Sequence, residues 1–319
     1  MTYLLLILGF ALLIKGAEWL VNGAVSVARR FGVSDLVIGL SIVSMGTSMP
    51  ELIVSIIASA KGSSELAIGN VLGSNIANVL LILGVTAIIR TLPVHRNTIL
   101  SEVPFSLAAA LLVGFLANAA LFGEQANQLS ISRGDGIIIL FFFLLFMAYV
   151  ITVAREDKKK LKIEIAARTP LYKSLFLIGI GMASLFLGGK WVVDGAVELA
   201  EMFGMSETLI GLTVVALGTS LPELVTSIMA ALKNNTDIAV GNAVGSNIFN
   251  LLWILGVSAI IRPLPFDVAS NVDIFVVIAA SCMILVALII GRRMAIKRLQ
   301  GIAFVAAYAI YLYFVVKRG

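Results

Sequence analysis

The chain has 319 residues, 60% of them hydrophobic and 13% charged, and its mean hydropathy is +1.06. That composition excludes an ordinary soluble domain, and apolar runs without alternation exclude a transmembrane barrel. The formal charge of +5 marks orientation in a membrane and not a nucleic-acid surface, because the basic residues gather on alternate sides of the apolar runs.

The first apolar run covers 3–27. No basic residue precedes it and no clear small-residue cleavage site follows, so it reads as a span and not a removed leader. Further runs follow at 36–60, 66–89, 99–121 and 136–154. Each is about long enough for a hydrocarbon core of roughly 30 Å. Helices are expected, because lipid satisfies no backbone polar group. The stretch "AREDKKKLKIEIAAR" opens a polar linker over 155–173, and five more runs occupy 174–197, 208–232, 238–261, 273–291 and 301–316. The linker therefore separates two halves, 1–154 and 174–319, of five spans each.

With the N-terminus outside, 16 of the 23 Lys and Arg residues lie on the cytoplasmic side and 5 on the other, while Lys15 and Lys190 fall within spans. The bias places the linker in the cytoplasm and both termini outside a multi-pass protein of the cell membrane. Lys15 has Glu18 one turn away and Lys190 has Asp194, so two local ion pairs are expected. The single cysteine, Cys282, lies within a span and forms no intrachain disulfide. The run "FFFLLF" at 141 reads as lipid-facing surface.

Shifted by 172 residues, the sequence matches itself without a gap: 33 of 56 positions from Ile38 to Pro93 are identical in the second copy. "MGTSMPELIVS" at 45 meets "LGTSLPELVTS" at 217, and "GNVLGSNIAN" at 69 meets "GNAVGSNIFN" at 241. Shared apolar composition does not put Gly, Pro, Glu, Ser and Asn in register. Five spans is an odd number, so the second copy must cross the membrane upside down relative to the first. Inverted repeats of this kind build carriers whose substrate sits at the midplane.

Each copy raises the same chemical question. On a helix, Ser41, Ser44, Ser48, Glu51 and Ser55 share one face, as do Thr213, Ala216, Ser220, Glu223 and Ser227. Pro50 has no N–H to give the carbonyl of Gly46, and Pro222 none to give Gly218, so carbonyls near 44–47 and their counterparts are expected to leave the helix ladder. Broken backbone persists at membrane depth only inside protein or beside a polar cavity. Hard cations want many oxygens, which gives the break a use. Asn70, Ser74 and Asn78, and likewise Asn242, Ser246 and Asn250, stand four apart on the next span and add neutral oxygens. Gly69, Gly73, Gly241 and Gly245 are expected to permit close helix approach. A kinking proline or a serine stripe alone is more often structural. A mid-span glutamate is functional by default. Asn70 and Asn242 read equally well as helix–helix hydrogen bonds.

The paired "GTS-x-PEL" and "GN-x-x-GSNI-x-N" motifs resemble the alpha repeats of the calcium/cation antiporter superfamily, most nearly those of prokaryotic sodium/calcium exchangers, and the resemblance covers essentially the whole chain. It implies an all-α integral membrane protein of ten transmembrane helices in two inverted five-helix repeats, broken at the midplane and together forming one transport domain. It implies antiport of sodium against calcium by alternating access, with no cofactor and no enzymatic activity. Carried onto this sequence, Glu51 and Glu223 become the central ligands of a metal site. Thr47, Ser48, Ser74, Thr219, Ser220 and Ser246 add oxygens. Backbone carbonyls of Ser44, Thr47, Ala216 and Thr219 complete the set, and Asn78 and Asn250 flank it. Spans one and six slide against the rest. Asn250, where some relatives carry Asp, argues against potassium co-transport. A proton/calcium exchanger of the same superfamily is the alternative, and a cation channel a more distant one. Calcium, sodium and membrane lipid are the implied partners, with no nucleic acid and no obligate protein partner.

Overall fold

The computed structural model describes residues 2–94, 98–122, 129–160, 169–202, 216–290 and 294–318. Helices dominate them. A long first helix, α1 (Thr2–Phe31), precedes a helix broken at Ser48 into α2 (Asp35–Thr47) and α3 (Met49–Lys61), whose axes differ by 48°. Next come α4 (Ser64–Ile89), α5 (Val103–Ala117) and α6 (Arg133–Lys160). The second half contributes α7 (Leu171–Met202), the short α8 (Ala216–Thr219), α9 (Leu221–Leu232), α10 (Thr236–Ile261), α11 (Ser270–Ile290) and α12 (Arg298–Arg318). Among the described residues, eight helices are long and apolar enough to cross a membrane, or nine if the bent pair counts as one span. The expected span 208–232 begins outside the described residues, and what is described of it is α8 and α9.

The internal repeat is legible in the backbone. α3 and α9 begin 172 residues apart, at Met49 and Leu221, and so do α4 and α10, at Ser64 and Thr236. Both α4 and α10 widen into a π-helical stretch at corresponding places, Ala77–Leu83 and Phe249–Ile254. Such wide turns often accompany functional sites. The chain leaves α3 and α9 through left-handed residues, Gly62 (φ 84°) and Asn234 (φ 67°). Each is met by an arginine of the other half. Arg90 donates to the Asn234 side chain, and the Arg262 guanidinium lies against Gly62, where an added Cβ would meet it at 2.6 Å.

α1 and α7 pack as an antiparallel pair on backbone surfaces. A Cβ added at Gly16 would lie 2.9 Å from the carbonyl oxygen of Gly181, one at Gly188 2.8 Å from that of Gly9, and one at Gly23 2.8 Å from that of Ser174. Small residues at seven-residue spacing let two helices approach this closely in lipid, where association rests on packing and not on the hydrophobic effect. The fifth long helix of each half packs on the other half: Gly301 of α12 lies against Gly84 of α4, and Gly136 of α6 against Gly256 of α10. Two-residue strands make the same exchange. β1 (Leu92–Pro93) pairs with β4 (Ala295–Ile296), and β2 (Ser130–Ile131) with β3 (Leu264–Pro265), both antiparallel.

α4 and α10 are the most buried long helices, and α6 and α12 among the least. The "FFFLLF" run on α6 divides. Phe141, Phe142, Leu144 and Leu145 face outward, as expected. Phe146 is fully buried, and Phe143 stacks on Trp253 of α10 at 6.0 Å, so one face of the run is core. The helical period, which repeats every third or fourth residue, separates the two groups.

Candidate cation-binding site

Ser48 and Ser220 sit at the two breaks with nearly equal backbone angles (φ −82°, ψ 8° and φ −85°, ψ 2°). Each is followed by a helix with proline in its first two positions and glutamate in its first turn. Proline suits the start of a helix, where its missing N–H leaves nothing unsatisfied. The positive ends of the α3 and α9 dipoles therefore lie at Glu51 and Glu223, while α2 and α8 end at the same breaks with their carbonyl ends. Half-helices that meet in this way form ion sites at membrane depth.

The predicted side chains are buried: Glu51 and Glu223 are each 1% exposed, and Ser44, Thr47, Ser48, Ser74, Ser220, Ser246, Asn78 and Asn250 are all in the interior. Hydrogen bonds tie the halves together here. Ser48 Oγ donates to Glu223 Oε1 at 3.0 Å, and Thr47 Oγ1 to Asn242 Oδ1 at 3.0 Å. Thr219 Oγ1 donates to Asn70 Oδ1 at 3.5 Å. Asn70 Nδ2 in turn donates to the Glu51 carbonyl and to Ser55 Oγ, and Asn242 Nδ2 to the Glu223 carbonyl and Ser227 Oγ. These two asparagines thus act as struts that hold the glutamate-bearing turns.

Three expectations change. The Ser44 carbonyl is not released by the break, since it accepts from Ser48 N at 3.0 Å and from Thr47 Oγ1 at 3.3 Å. Proline removes the donor to Gly46, two residues further on, and leaves the Ser44 bond in place. Gly241 and Gly245 do press against α2, at 2.9 Å from the Leu36 carbonyl oxygen and 2.8 Å from Ser44 Oγ for an added Cβ, but Gly69 and Gly73 have no described atom within 4 Å. The segment that would face them by the repeat lies in 203–215, outside the described residues, as does Thr213. Finally, Lys15 binds Glu18 at 3.0 Å, but no Lys190–Asp194 pair forms. Lys190 and Asp194 both lie on the outer surface of α7. Of Ala216 only the backbone is described, at the start of α8.

Many polar atoms in this region have no partner. Both carboxylate oxygens of Glu51, Oε2 of Glu223, the hydroxyls of Ser74, Ser220 and Ser246, Oδ1 of Asn78, and both amide atoms of Asn250 are buried without a hydrogen bond. An unmet buried polar group costs about 1–3 kcal/mol, and a charge more. Such a cluster is stable as a shell for something that accepts many oxygens. All the donors are oxygen, and among the described residues no group of three or more His, Cys, Asp or Glu side chains gathers to hold a metal. Two carboxylates with neutral hydroxyl, amide and carbonyl oxygens suit hard cations and not thiolate- or imidazole-seeking metals.

The sodium/calcium exchanger protein family matches residues 1–152 and 173–317. The chain belongs to this family. The sodium/calcium exchanger MaX1 of Methanosarcina acetivorans is 32% identical, with 97% of each chain covered. Inner membrane protein YrbG of Escherichia coli is 40% identical over 91% of this chain and 88% of its own. The fold agrees with solved structures of the sodium–calcium exchanger NCX_Mj. One, soaked with sodium and no calcium, superposes with a TM-score of 0.82 at 32% identity, covering 98% of this chain and 99% of that one. Another, soaked with sodium and strontium, gives 0.80 at 33% identity. The chain is thus a membrane transporter of an exchanger family and not an enzyme.

In this exchanger two buried asparagines escaped the sequence reading. Asn75 and Asn247 are 0% and 1% exposed and lie in the "GSNI" motifs. Asn78 Nδ2 donates to Asn247 Oδ1 at 3.0 Å, across the repeats, whereas both amide atoms of Asn75 are unmet. Their register in the two copies was the available signal. It was overlooked because three-residue spacing to Asn78 and Asn250 places them beside the four-apart row and not in it.

Proposed function

We propose that the protein exchanges sodium for calcium across the cell membrane by alternating access, through ten spans in two inverted five-helix repeats (1–154 and 174–319, joined by the 155–173 linker). The observation that carries this reading is the shell of unmet oxygens around Glu51 and Glu223 at the two helix breaks. Thr47, Ser48, Ser74, Thr219, Ser220 and Ser246, with Asn78, Asn250 and the backbone carbonyls of Thr47, Ala216 and Thr219, complete the proposed ligand set. The antiparallel packing of α1 on α7, which correspond in the repeat, supports an inverted second half. The pairing also supports a carrier over a channel, since hydrogen bonds join the two breaks across the repeats.

The test is calcium uptake by purified protein in proteoliposomes loaded in turn with sodium, potassium or acid. The expected result is uptake only with an outward sodium gradient. Uptake driven by the proton gradient instead would identify a proton/calcium exchanger, and uptake with no opposing gradient a channel.

The same reading places both termini outside and the linker inside, from the 16-to-5 basic asymmetry. With Cys282 replaced by alanine, a cysteine at Lys173 is expected to resist an impermeant maleimide applied to intact cells and to react after permeabilisation. Equal labelling in both conditions would reverse the orientation.

A further inference from the structure

The two copies have nearly the same sequence around the site, yet their reciprocal contacts are unequal. Ser48 bonds Glu223, but the counterpart Ser220 hydroxyl and both Glu51 oxygens are unmet. Thr47 reaches Asn242 at 3.0 Å, and Thr219 reaches Asn70 only at 3.5 Å. Asn78 bonds Asn247, while both amides of the counterpart pair, Asn250 and Asn75, are unmet although buried. The same bias recurs away from the site. Lys233, at the end of α9, binds Glu18 Oε1 at 3.3 Å and Asn22 Oδ1 at 2.7 Å on α1. Its counterpart Lys61 and the counterpart of Asn22, Asp194 on α7, are exposed and form no such contact, and the counterpart of Glu18 is Lys190, so only the Asn22 contact has a mirror that could close. In the three site contacts, and for Lys233 with Asn22, the contact of one sense is made or shorter and its mirror is open or longer.

A fully buried asparagine with neither amide atom satisfied requires an explanation. Exchange of the two halves supplies one. If the halves trade conformations, each of the three site contacts passes to its mirror, so the number of site bonds is conserved and the two states stay close in energy. We propose that Asn247 and Asn75 are alternating positioning residues: Asn247 holds the Asn78 amide in the state described here, and Asn75 holds the Asn250 amide in the oppositely facing one. Holding the Nδ2 group fixes the side-chain rotamer and leaves the Asn78 Oδ1, which has no protein partner, for a cation. The candidate ligand thus changes from one copy to the other as access alternates. In the mirrored state Asp194 takes the place Asn22 has now and Lys190 that of Glu18, so Lys61 gains an opposite charge and a like charge together.

This inference rests on the antiporter reading for its direction, but its test needs no transport. In a Cys282→Ala background, one reporter carries Asn22→Cys with Lys233→Cys and a second carries Asp194→Cys with Lys61→Cys. Short bifunctional maleimides then read the two states in membranes. Loss of one buried hydrogen bond shifts a two-state balance roughly fivefold. Asn247→Ala is expected to lower crosslinking of the first pair and raise that of the second. Asn75→Ala should do the reverse, and the double variant should return toward the parent ratio. Asn→Leu at each position, which keeps volume without the bond, serves if an alanine variant does not accumulate. Movement of both reporters in the same direction by both variants, or no movement at all, overturns the proposal. Opposite shifts in a protein without sodium-driven calcium uptake would keep the switch and reject the cargo.

Discussion

Glu51→Gln is expected to abolish sodium-driven calcium uptake by the reconstituted protein, and Glu223→Gln to do the same, while both variants should accumulate and elute as the parent does. Glutamine keeps the volume and one oxygen of the side chain, removes the charge, and puts an NH2 donor in place of the second oxygen. At an effective dielectric of about 20, two unit charges 4 Å apart attract by about 4 kcal/mol, and a divalent ion about doubles that. Desolvation of the carboxylate offsets much of this gain. A residual of about 2.7 kcal/mol is still a hundredfold loss of affinity. The two variants are expected to differ in stability without ions. Glu223 already accepts from Ser48, and a glutamine oxygen keeps that bond, whereas both oxygens of Glu51 are unmet. Glu51→Gln should therefore raise the melting midpoint of the cation-free protein more than Glu223→Gln. Calcium uptake at the parent rate in either variant would remove that residue from the site.

A membrane potential is the second lever with a large expected effect. Glu51 and Glu223 supply two negative charges, and Asn78 and Asn250 supply none. One calcium or two sodium ions neutralise the pair equally, and exchange in that ratio would be electrically silent. The unmet neutral oxygens of Ser74, Ser220, Ser246, Asn78 and Asn250 extend the site beyond the two carboxylates, and a third sodium held there would add charge that no side chain neutralises. Three sodium ions against one calcium move one net charge, worth about 2.3 kcal/mol per 100 mV. The final calcium gradient should then change about fiftyfold per 100 mV. The measurement is uptake at equilibrium in proteoliposomes clamped with potassium and valinomycin. Equal accumulation at opposite potentials would establish two-for-one exchange instead.

The residues that make up the candidate site were readable before any fold. Charge in hydrocarbon is costly, so Glu51 and Glu223 stood out in apolar runs, and the 172-residue repeat removed coincidence as an explanation. Pro50 and Pro222 marked both breaks, because a missing N–H acts locally and needs no tertiary partner. The spacing of Ser74 and Asn78 followed from the helical period alone. Even the strut role of Asn70 and Asn242 was one of two readings that the sequence allowed, and the structure chose it.

What the sequence left undetermined depends on contacts between residues far apart in the chain. No periodicity indicates that Ser48 meets Glu223 across 175 residues, or that Asn78 meets Asn247 across 169. The glycines of α1 and α7 are seven apart in each helix, but which carbonyl each one meets is fixed only when the two helices pack antiparallel. The Ser44 carbonyl shows the same limit on a smaller scale: proline dictates which bond is lost, and the local bend decides which neighbours survive. Above all, a repeated sequence is nearly symmetric by construction. The inequality of its two copies, with one set of cross-repeat bonds closed and its mirror open, exists only in three dimensions, because it lies in which of two equivalent long-range contacts is made.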